Sequence, residues 1–256
     1  MTSIAVIGAG AWGTTIANIL ADNGVDVLLW CYKQELADSI ANTNTHHRLP
    51  GVVLNKNLKV TTQFSDCYSY DVVILGLSSK QLIMYQDDLD WAKMSAVATL
   101  AKGLIEPDIF ISKWLKARFC GDVAVISGPN LALEIANKKP AATVVASDNS
   151  ALATTLQTCL SNDYFRAYTS NDVRGVECGG LFKNVFAIAA GALDALSFGE
   201  NAKAALITRG LVELGRLFDY FGADQTTLMG LSGLGDLIAT CSSNKSRNWQ
   251  LGYEVI

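Results

Sequence analysis

The segment GAGAWG, residues 8–13, constrains the fold more than any other feature of the sequence. It follows residues 4–7, whose small and β-branched side chains suit a short buried strand. It precedes residues 16–20, where the apolar side chains have helical spacing. A strand therefore passes directly into a helix through a turn that is almost bare of side chains.

The three glycines of this turn fit the spacing G-x-G-x-x-G. Gly8 would make the tight turn, Gly10 would let a pyrophosphate approach the backbone, and Gly13 would let the helix pack closely. The free N–H groups and the positive end of the helix dipole favour an anion at this point. The turn therefore predicts a dinucleotide cofactor, with an ordinary glycine-rich turn as the alternative.

Length and composition are those of a globular chain with one or two domains. The 256 residues reach the size at which one core tends to split, and 50% are hydrophobic while 17% are charged. The longest unbroken apolar run, residues 185–193, is too short to cross a bilayer, so no membrane anchor is expected. The N-terminus reads directly into a strand without a signal peptide, which predicts a cytoplasmic location.

The charge and the cysteines narrow the functional classes further. A net charge of −4 argues against a nucleic-acid partner and means that local charges must hold any phosphate. The six cysteines contain no C-x-x-C pair, which predicts reduced thiols and neither a zinc site nor a disulfide framework. His46 and His47 are adjacent, and we expect them to point apart in a polar loop, so no metal site is predicted.

Strand-like and helix-like segments alternate over the first part of the chain. Further strand-like runs are residues 26–30, 58–62, 71–77, 97–101, 122–127 and 142–147. This alternation predicts an α/β fold with a doubly wound, mostly parallel Rossmann sheet over residues 1–172, and ligands at the carboxyl ends of the strands. Residues 173–256 have helical apolar spacing, which predicts an all-helical second domain.

The second predicted strand bears on the choice of cofactor. An acidic residue at its end would hold a ribose 2′-hydroxyl, whereas a basic residue accommodates a 2′-phosphate. Lys33 lies at this end, and the nearest acid, Glu35, falls in the next helix. The sequence therefore favours NADP(H), with NAD(H) as the alternative and a solvated lysine as the simpler interpretation.

Polar clusters stand where this architecture places loops and helix ends. Lys102 and residues 127–130 each follow a strand, so they are expected at the same sheet edge as the cofactor. Lys183 and Asn184 interrupt a largely apolar helix, where a charge is costly unless it is paired or used. An exposed helix edge is the alternative explanation for this pair.

Six ordered blocks closely resemble the bacterial type of NAD(P)-dependent glycerol-3-phosphate dehydrogenase. They are GAGAWGT, AKGL, ISGPNLA, GGLFKNVFAIAAG, FGENAKAALITRGL and LSGLGDLIATCSSNKSRN, and together they cover essentially the whole chain. The resemblance implies reduction of dihydroxyacetone phosphate to sn-glycerol 3-phosphate by a nicotinamide hydride. This reaction supplies the backbone of glycerophospholipids.

The resemblance also implies a role for each matching residue. Lys183 matches the general acid and base, Lys102 matches a second active-site lysine, and Asp236 completes the catalytic set. The implied substrate-binding positions are Lys102, Gly128, Asn130, Asn184, Asp236, Ser246, Arg247 and Asn248. The implied cofactor positions are Gly8, Gly10, Ala11, Trp12, Gly13, Lys102, Ala132 and Arg247, to which the strand argument adds Lys33.

The chemistry suits these residue types. A guanidinium makes paired charged hydrogen bonds to phosphate oxygens, so Arg247 is the natural phosphate clamp. An ammonium can stabilise the negative charge that grows on a carbonyl oxygen and then donate a proton. Lys183 would do this best with its pKa lowered toward neutrality by burial and by the ammonium of Lys102.

Partners and rival functions complete the expectations. The expected ligand is a small phosphorylated three-carbon substrate, and a homodimer is the expected assembly. One rival is a related NADP-dependent hydroxy-acid or ketopantoate-type reductase, which would not explain the cluster around Arg247. The other is a truncated dinucleotide-binding module without turnover, because family members usually continue several dozen residues beyond residues 252–256.

Overall fold

The computed structural model describes residues 2–256, which contain ten β-strands. The strands are β1 (Ser3–Ile7), β2 (Asp26–Trp30), β3 (Lys59–Thr61), β4 (Val72–Leu75), β5 (Ala96–Thr99), β6 (Leu104–Glu106), β7 (Ile109–Phe110), β8 (Asp122–Ser127), β9 (Ala141–Ser147) and β10 (Phe165–Ser170).

Eight of the strands make one sheet in the order β10-β9-β8-β5-β4-β1-β2-β3, while β6 and β7 pair as a separate antiparallel hairpin. Neighbours in the sheet are parallel except β8 and β9, which are antiparallel. The predicted doubly wound, mostly parallel sheet is therefore confirmed. The sequence interpretation missed β10, because its residues FRAYTS alternate between buried and exposed instead of forming an apolar run.

Eleven α-helices accompany the strands within residues 2–256. They are α1 (Ala11–Asp22), α2 (Gln34–Thr43), α3 (Ser79–Met84), α4 (Ile111–Lys116), α5 (Ala132–Ala136), α6 (Ser150–Leu160), α7 (Val173–Ala195), α8 (Gly199–Phe221), α9 (Gln225–Leu228), α10 (Asp236–Cys241) and α11 (Arg247–Glu254). Short 3₁₀ turns occupy Phe64–Ser69 and Trp91–Lys93, and a π-helical turn occupies Leu231–Gly235.

Both faces of the central strands are buried, as is typical of a parallel sheet. In β1, Ile4 and Val6 belong to one buried apolar cluster, whereas Ala5 and Ile7 belong to another. Alternate side chains of a strand point to opposite faces, so β1 supplies the cores on both sides. This double burial explains why the strand is a continuous apolar run.

The helical part is built around α7. This helix packs against α8, α10 and α11, and its residues Ala187 and Ala190 share a third buried cluster with Leu214 and Phe218 of α8. By length and composition, α7 is the one helix among residues 2–256 that would be able to span a membrane. Its packing and its buried small residues are those of a core helix.

Candidate active site

The glycine turn lies where β1 passes into α1. Gly8 has a φ of +124°, a backbone conformation that side chains other than glycine rarely adopt. A Cβ on Gly13 would stand 2.0 Å from the Gly8 carbonyl oxygen, so any larger residue would push α1 away from the turn. The first and third glycines are thus required by the backbone itself.

The start of α1 is open to an anion. A Cβ on Gly10 would meet no atom within 4 Å, and α1 begins with neither a side-chain cap nor an acidic residue in its first turn. The buried Thr14 hydroxyl also makes no hydrogen bond within residues 2–256. Free N–H groups and the helix dipole therefore suit a pyrophosphate, and the residues present fit a dinucleotide.

Three other predicted cofactor residues lie on or beside different helices: Trp12 on α1, Ala132 on α5 and Lys33 before α2. Trp12 packs edge-on against Phe165, with ring centroids 6.2 Å apart. Ala132 begins α5, and its carbonyl accepts a hydrogen bond from the Thr15 hydroxyl of α1 at 3.3 Å. Lys33 is exposed as the residue before α2, with no ion pair in the described chain.

At the neighbouring strand ends, Lys102 joins two motifs. It follows β5, and its ammonium donates to the Gly128 carbonyl after β8 at 3.2 Å. The same ammonium donates to Oδ2 of Asp236 at 2.5 Å. The structure therefore brings residues 101–103 and 127–130 to one sheet edge.

Lys183 approaches the same carboxylate from α7. Its ammonium donates to Oδ1 of Asp236 and, at 3.0 Å, to the Thr240 hydroxyl. The Asp236 side chain is 1% exposed, and the Lys183 side chain is 12% exposed. We call Lys102, Lys183, Asp236 and Thr240 the lysine–aspartate cluster. Because its side chain is only 12% exposed, Lys183 does not lie on an exposed helix edge, and that alternative is excluded.

Burial changes the acidity of this cluster. The pKa of Lys183 is lowered from 10.5 to about 7, chiefly by burial and then by the ammonium of Lys102, while Asp236 opposes the change. Desolvation penalises the charged form of a lysine, which is why the paired carboxylate does not restore the ordinary value. Lys183 can therefore gain and lose a proton near neutral pH.

A π-helical turn, Leu231–Gly235, places Asp236 beside the two lysines. The N–H of Gly235 bonds to the Gly230 carbonyl at 3.1 Å, a wider step than in an α-helix. A Cβ on Gly179 of α7 would lie 2.3 Å from the Ser232 carbonyl oxygen. Glycine at this position lets α7 touch the turn, and α10 then begins with Asp236 facing the interior.

The last predicted cluster stands at the start of α11. The Asn248 amide donates to the Asn184 oxygen of α7 at 2.7 Å, and the Ser246 hydroxyl caps α11 by accepting from the Trp249 N–H. Arg247, the first residue of α11, is exposed and forms no ion pair among the described residues. Its guanidinium is free to bind an anion.

Two residues of the 127–130 segment behave differently from each other. The Asn130 amide donates to the Ala142 carbonyl at 3.2 Å, and its oxygen accepts from the Thr143 hydroxyl at 3.0 Å. Its side chain is thus tied to β9, and its contact with substrate stays a prediction. The buried Ser127 hydroxyl, in contrast, has no hydrogen-bond partner within residues 2–256.

The sequence did not single out three side chains near these motifs: Thr240, Glu177 and Ser112. Thr240 lies one helical turn after Asp236 and its hydroxyl donates to the Asp236 carbonyl at 2.6 Å, so an i, i+4 pattern after the aspartate was the available signal. The Glu177 carboxylate is buried against Ser112. No local pattern marks this contact, since the two residues lie on different helices.

The expectation for the histidines was wrong. His46 is buried, at 2% exposure, and its ring stacks on that of His47 with centroids 4.8 Å apart. The turn after α2 is compact, not extended, so the two neighbouring rings lie on the same side. His46 also contacts the glycine turn, as described below.

The fold and this site define the class of dinucleotide-dependent α/β oxidoreductases, in which a sheet edge joins a cofactor turn to a titratable lysine. Within this class, the models of NAD-dependent glycerol-3-phosphate dehydrogenase match residues 3–153 for its N-terminus and residues 172–256 for its C-terminus. The chain belongs to the NAD-dependent glycerol-3-phosphate dehydrogenase family.

Individual relatives support the same assignment. The glycerol-3-phosphate dehydrogenase [NAD(P)+] of Streptomyces avermitilis is 44% identical over 98% of this chain and 77% of its own length. That of Corynebacterium aurimucosum is 41% identical over 100% of this chain and 79% of its own length. The crystal structure of glycerol-3-phosphate dehydrogenase from Coxiella burnetii has a TM-score of 0.90 and 38% identity, covering 99% of this chain and 80% of that one.

Proposed function

We propose that the protein reduces dihydroxyacetone phosphate to sn-glycerol 3-phosphate, reversibly, in the pathway to glycerophospholipids. The family assignment supports this reaction. The observation that carries it is the buried ammonium of Lys183, whose pKa is lowered to about 7 beside the sheet edge that bears the glycine turn. The reduced nicotinamide, when bound, supplies the hydride.

In this proposal the lysine–aspartate cluster manages the proton. The ammonium of Lys183 stabilises the negative charge that grows on the carbonyl oxygen and then donates its proton. Lys102 keeps a second positive charge beside the substrate and the cofactor. Asp236 holds both ammonium groups in place, because its two oxygens accept from one lysine each.

The phosphate of the substrate would bind at the start of α11. Arg247 offers paired donors, and Asn184 and Asn248 form a joined amide pair across α7 and α11. The positive end of α11 adds to the attraction for an anion. This arrangement selects a phosphorylated ketose over an unphosphorylated one and over a ketopantoate-type substrate.

We further propose a preference for NADPH over NADH. Lys33 stands exposed at the end of β2 without an ion pair in the described chain, and no acidic side chain follows that strand before α2. A free ammonium at this point can attract the 2′-phosphate of the adenosine ribose. Replacing Lys33 by alanine should raise KM for NADPH and leave KM for NADH unchanged, with exposed Lys93→Ala as the matched control.

The function is tested by the loss of absorbance at the reduced-nicotinamide band on adding dihydroxyacetone phosphate, with NADPH and NADH in separate reactions. Unphosphorylated dihydroxyacetone and ketopantoate should give no comparable rate. Dinucleotide binding without turnover on any of these substrates would support the non-catalytic alternative. Arg247→Ala should raise KM for the phosphate substrate, whereas Arg216→Ala, on an exposed ion pair of α8, should not.

Location and assembly are part of the same proposal. All six cysteines are free thiols, which is consistent with a reducing cytoplasm. The expected homodimer is tested by sedimentation velocity over a range of protein concentrations. A single monomeric species at all concentrations would contradict it.

A further inference from the structure

His46 makes a direct contact with the glycine turn from outside the motif. It lies in the loop after α2, and its Nε2 is 3.0 Å from the Ala9 carbonyl oxygen. On the other side of the ring, the N–H of Arg48 donates to Nδ1 at 3.0 Å. The side chain is polar and buried, and each of its two ring nitrogens has a hydrogen-bond partner in the backbone.

These two contacts determine the tautomer of the ring. Because the Arg48 N–H donates to Nδ1, that nitrogen carries no proton, and the neutral imidazole must carry its proton on Nε2. His46 therefore donates to the Ala9 carbonyl. A second proton would have to sit on Nδ1, where it would face the Arg48 N–H, donor against donor. Protonation of His46 is thus incompatible with one of its two hydrogen bonds.

The orientation of one peptide group links this contact to the cofactor. In a trans peptide the carbonyl of Ala9 and the N–H of Gly10 point in opposite directions. The N–H of Gly10 makes no backbone hydrogen bond among residues 2–256, and the space beside Gly10 is open. If the peptide turned over, the Ala9 carbonyl would face the anion site and repel a phosphate.

We propose that His46 is a positioning residue for the dinucleotide: it holds the Ala9 carbonyl on one side of the glycine turn and so presents the Gly10 N–H to the pyrophosphate on the other. This inference rests on the proposed dinucleotide site. It adds to the glycine motif a residue that lies 37 positions away from Ala9 in the sequence.

The surroundings of His46 favour its neutral form. Burial lowers its pKa below 6.5, the charges of His47 and Arg48 lower it further, and the hydrogen bond to Ala9 opposes them. The glycine turn carries no charged side chain. The charged residues of the flanking helices, Asp22 of α1 with Glu35 and Asp38 of α2, are not among the groups that move this pKa.

The test is the dissociation constant of NADH, measured by titration calorimetry from about pH 5.5 to about pH 8. NADH lacks the 2′-phosphate, so no ligand phosphate titrates in this range. For the wild type, we expect constant affinity above neutrality and about 2- to 10-fold weaker binding at the acid end, the value of one hydrogen bond.

Two variants separate positioning from simple support of the fold. Glutamine can donate to Ala9 and accept from Arg48 but does not titrate, so His46→Gln should bind NADH with a constant affinity near that of the wild type. His46→Ala should bind about 2- to 10-fold more weakly at every pH. His47→Gln is the matched control and should keep the loss of affinity at acid pH.

Either of two results would overturn the proposal. His46→Gln would show the same loss of NADH affinity at acid pH as the wild type, or His46→Ala would bind NADH as tightly as the wild type. If His46→Ala does not fold, the comparison of His46→Gln with the wild type still decides. A wild-type chain that binds no NADH at any pH refutes the proposed function, and this inference with it.

Discussion

The acidity of Lys183 predicts opposite pH profiles for the two directions of the reaction. In the proposed function, reduction needs the protonated ammonium of Lys183 as the acid, whereas oxidation needs its neutral amine as the base. With a pKa of about 7, the protonated fraction is about one half at pH 7 and about one hundredth at pH 9. From pH 7 to about pH 9, kcat/KM for ketose reduction should therefore fall about 50-fold.

The oxidation of glycerol 3-phosphate should behave in the opposite way. Its kcat/KM should rise about tenfold per unit up to neutrality and then become constant. The assay is the initial rate of reduced-nicotinamide loss or formation at a saturating dinucleotide concentration. Above pH 7 the substrate phosphate is already a dianion, so the fall in the reduction rate would report the enzyme and not the ketose.

A second lysine of the helical part, Lys203, supplies the control for this prediction. Lys183 and Lys203 each have a side chain that is 12% exposed, but Lys203 is paired with Asp194, which raises its pKa. Lys183→Met should lower kcat by about 10²- to 10⁴-fold, and Lys203→Met should leave the pH profile unchanged. Profiles that are flat from pH 6 to pH 9 in both directions, or near-normal kcat in Lys183→Met, would refute the reasoning.

Two further substitutions test the charges at the contacts of α7. Asp236→Asn leaves the ammonium groups of Lys102 and Lys183 without their shared carboxylate, so the pKa of Lys183 should fall and the break in kcat/KM should move below pH 7. An unmoved break would show that Asp236 does not set this acidity. Burial raises the pKa of Glu177 from 4.5 to about 7, against the hydrogen bonds that Ser112 donates to it. Because the pKa of Glu177 is higher in the folded than in the unfolded chain, this group contributes stability that is present below about pH 4.5 and lost as the pH rises through about 7. Glu177→Gln should therefore be more stable than the wild type by about 3 kcal/mol at pH 8, and equally stable at pH 4.5. Thermal melting at both pH values measures this difference, and equal melting temperatures at pH 8 would contradict it.

The sequence by itself determined the features that depend on neighbouring residues. The glycine spacing at residues 8–13 predicts the turn between β1 and α1, because only glycine fits the backbone at Gly8 and Gly13. The apolar runs predict most strands of the parallel sheet, because a strand buried on both faces must be apolar at every position. The edge strand β10 and the short hairpin escaped this reasoning, since they lack such runs.

The resemblance of the motifs gave the residues that we propose for the site, but their geometry and acidity came only from the tertiary structure. Lys102 and Lys183 meet Asp236 across 134 and 53 positions of the chain, through a sheet edge, α7 and a π-helical turn. The amount of burial there decides the pKa of Lys183, and no local pattern records it.

The same holds for His46, which the sequence placed in a polar loop and the structure places under the glycine turn. Local patterns report the hydrogen bonding and the burial period of one element. Contacts between elements depend on how those elements cross and on which small residues let them approach. The local sequence of this protein therefore predicts its fold class, while long-range packing determines the charges at its site.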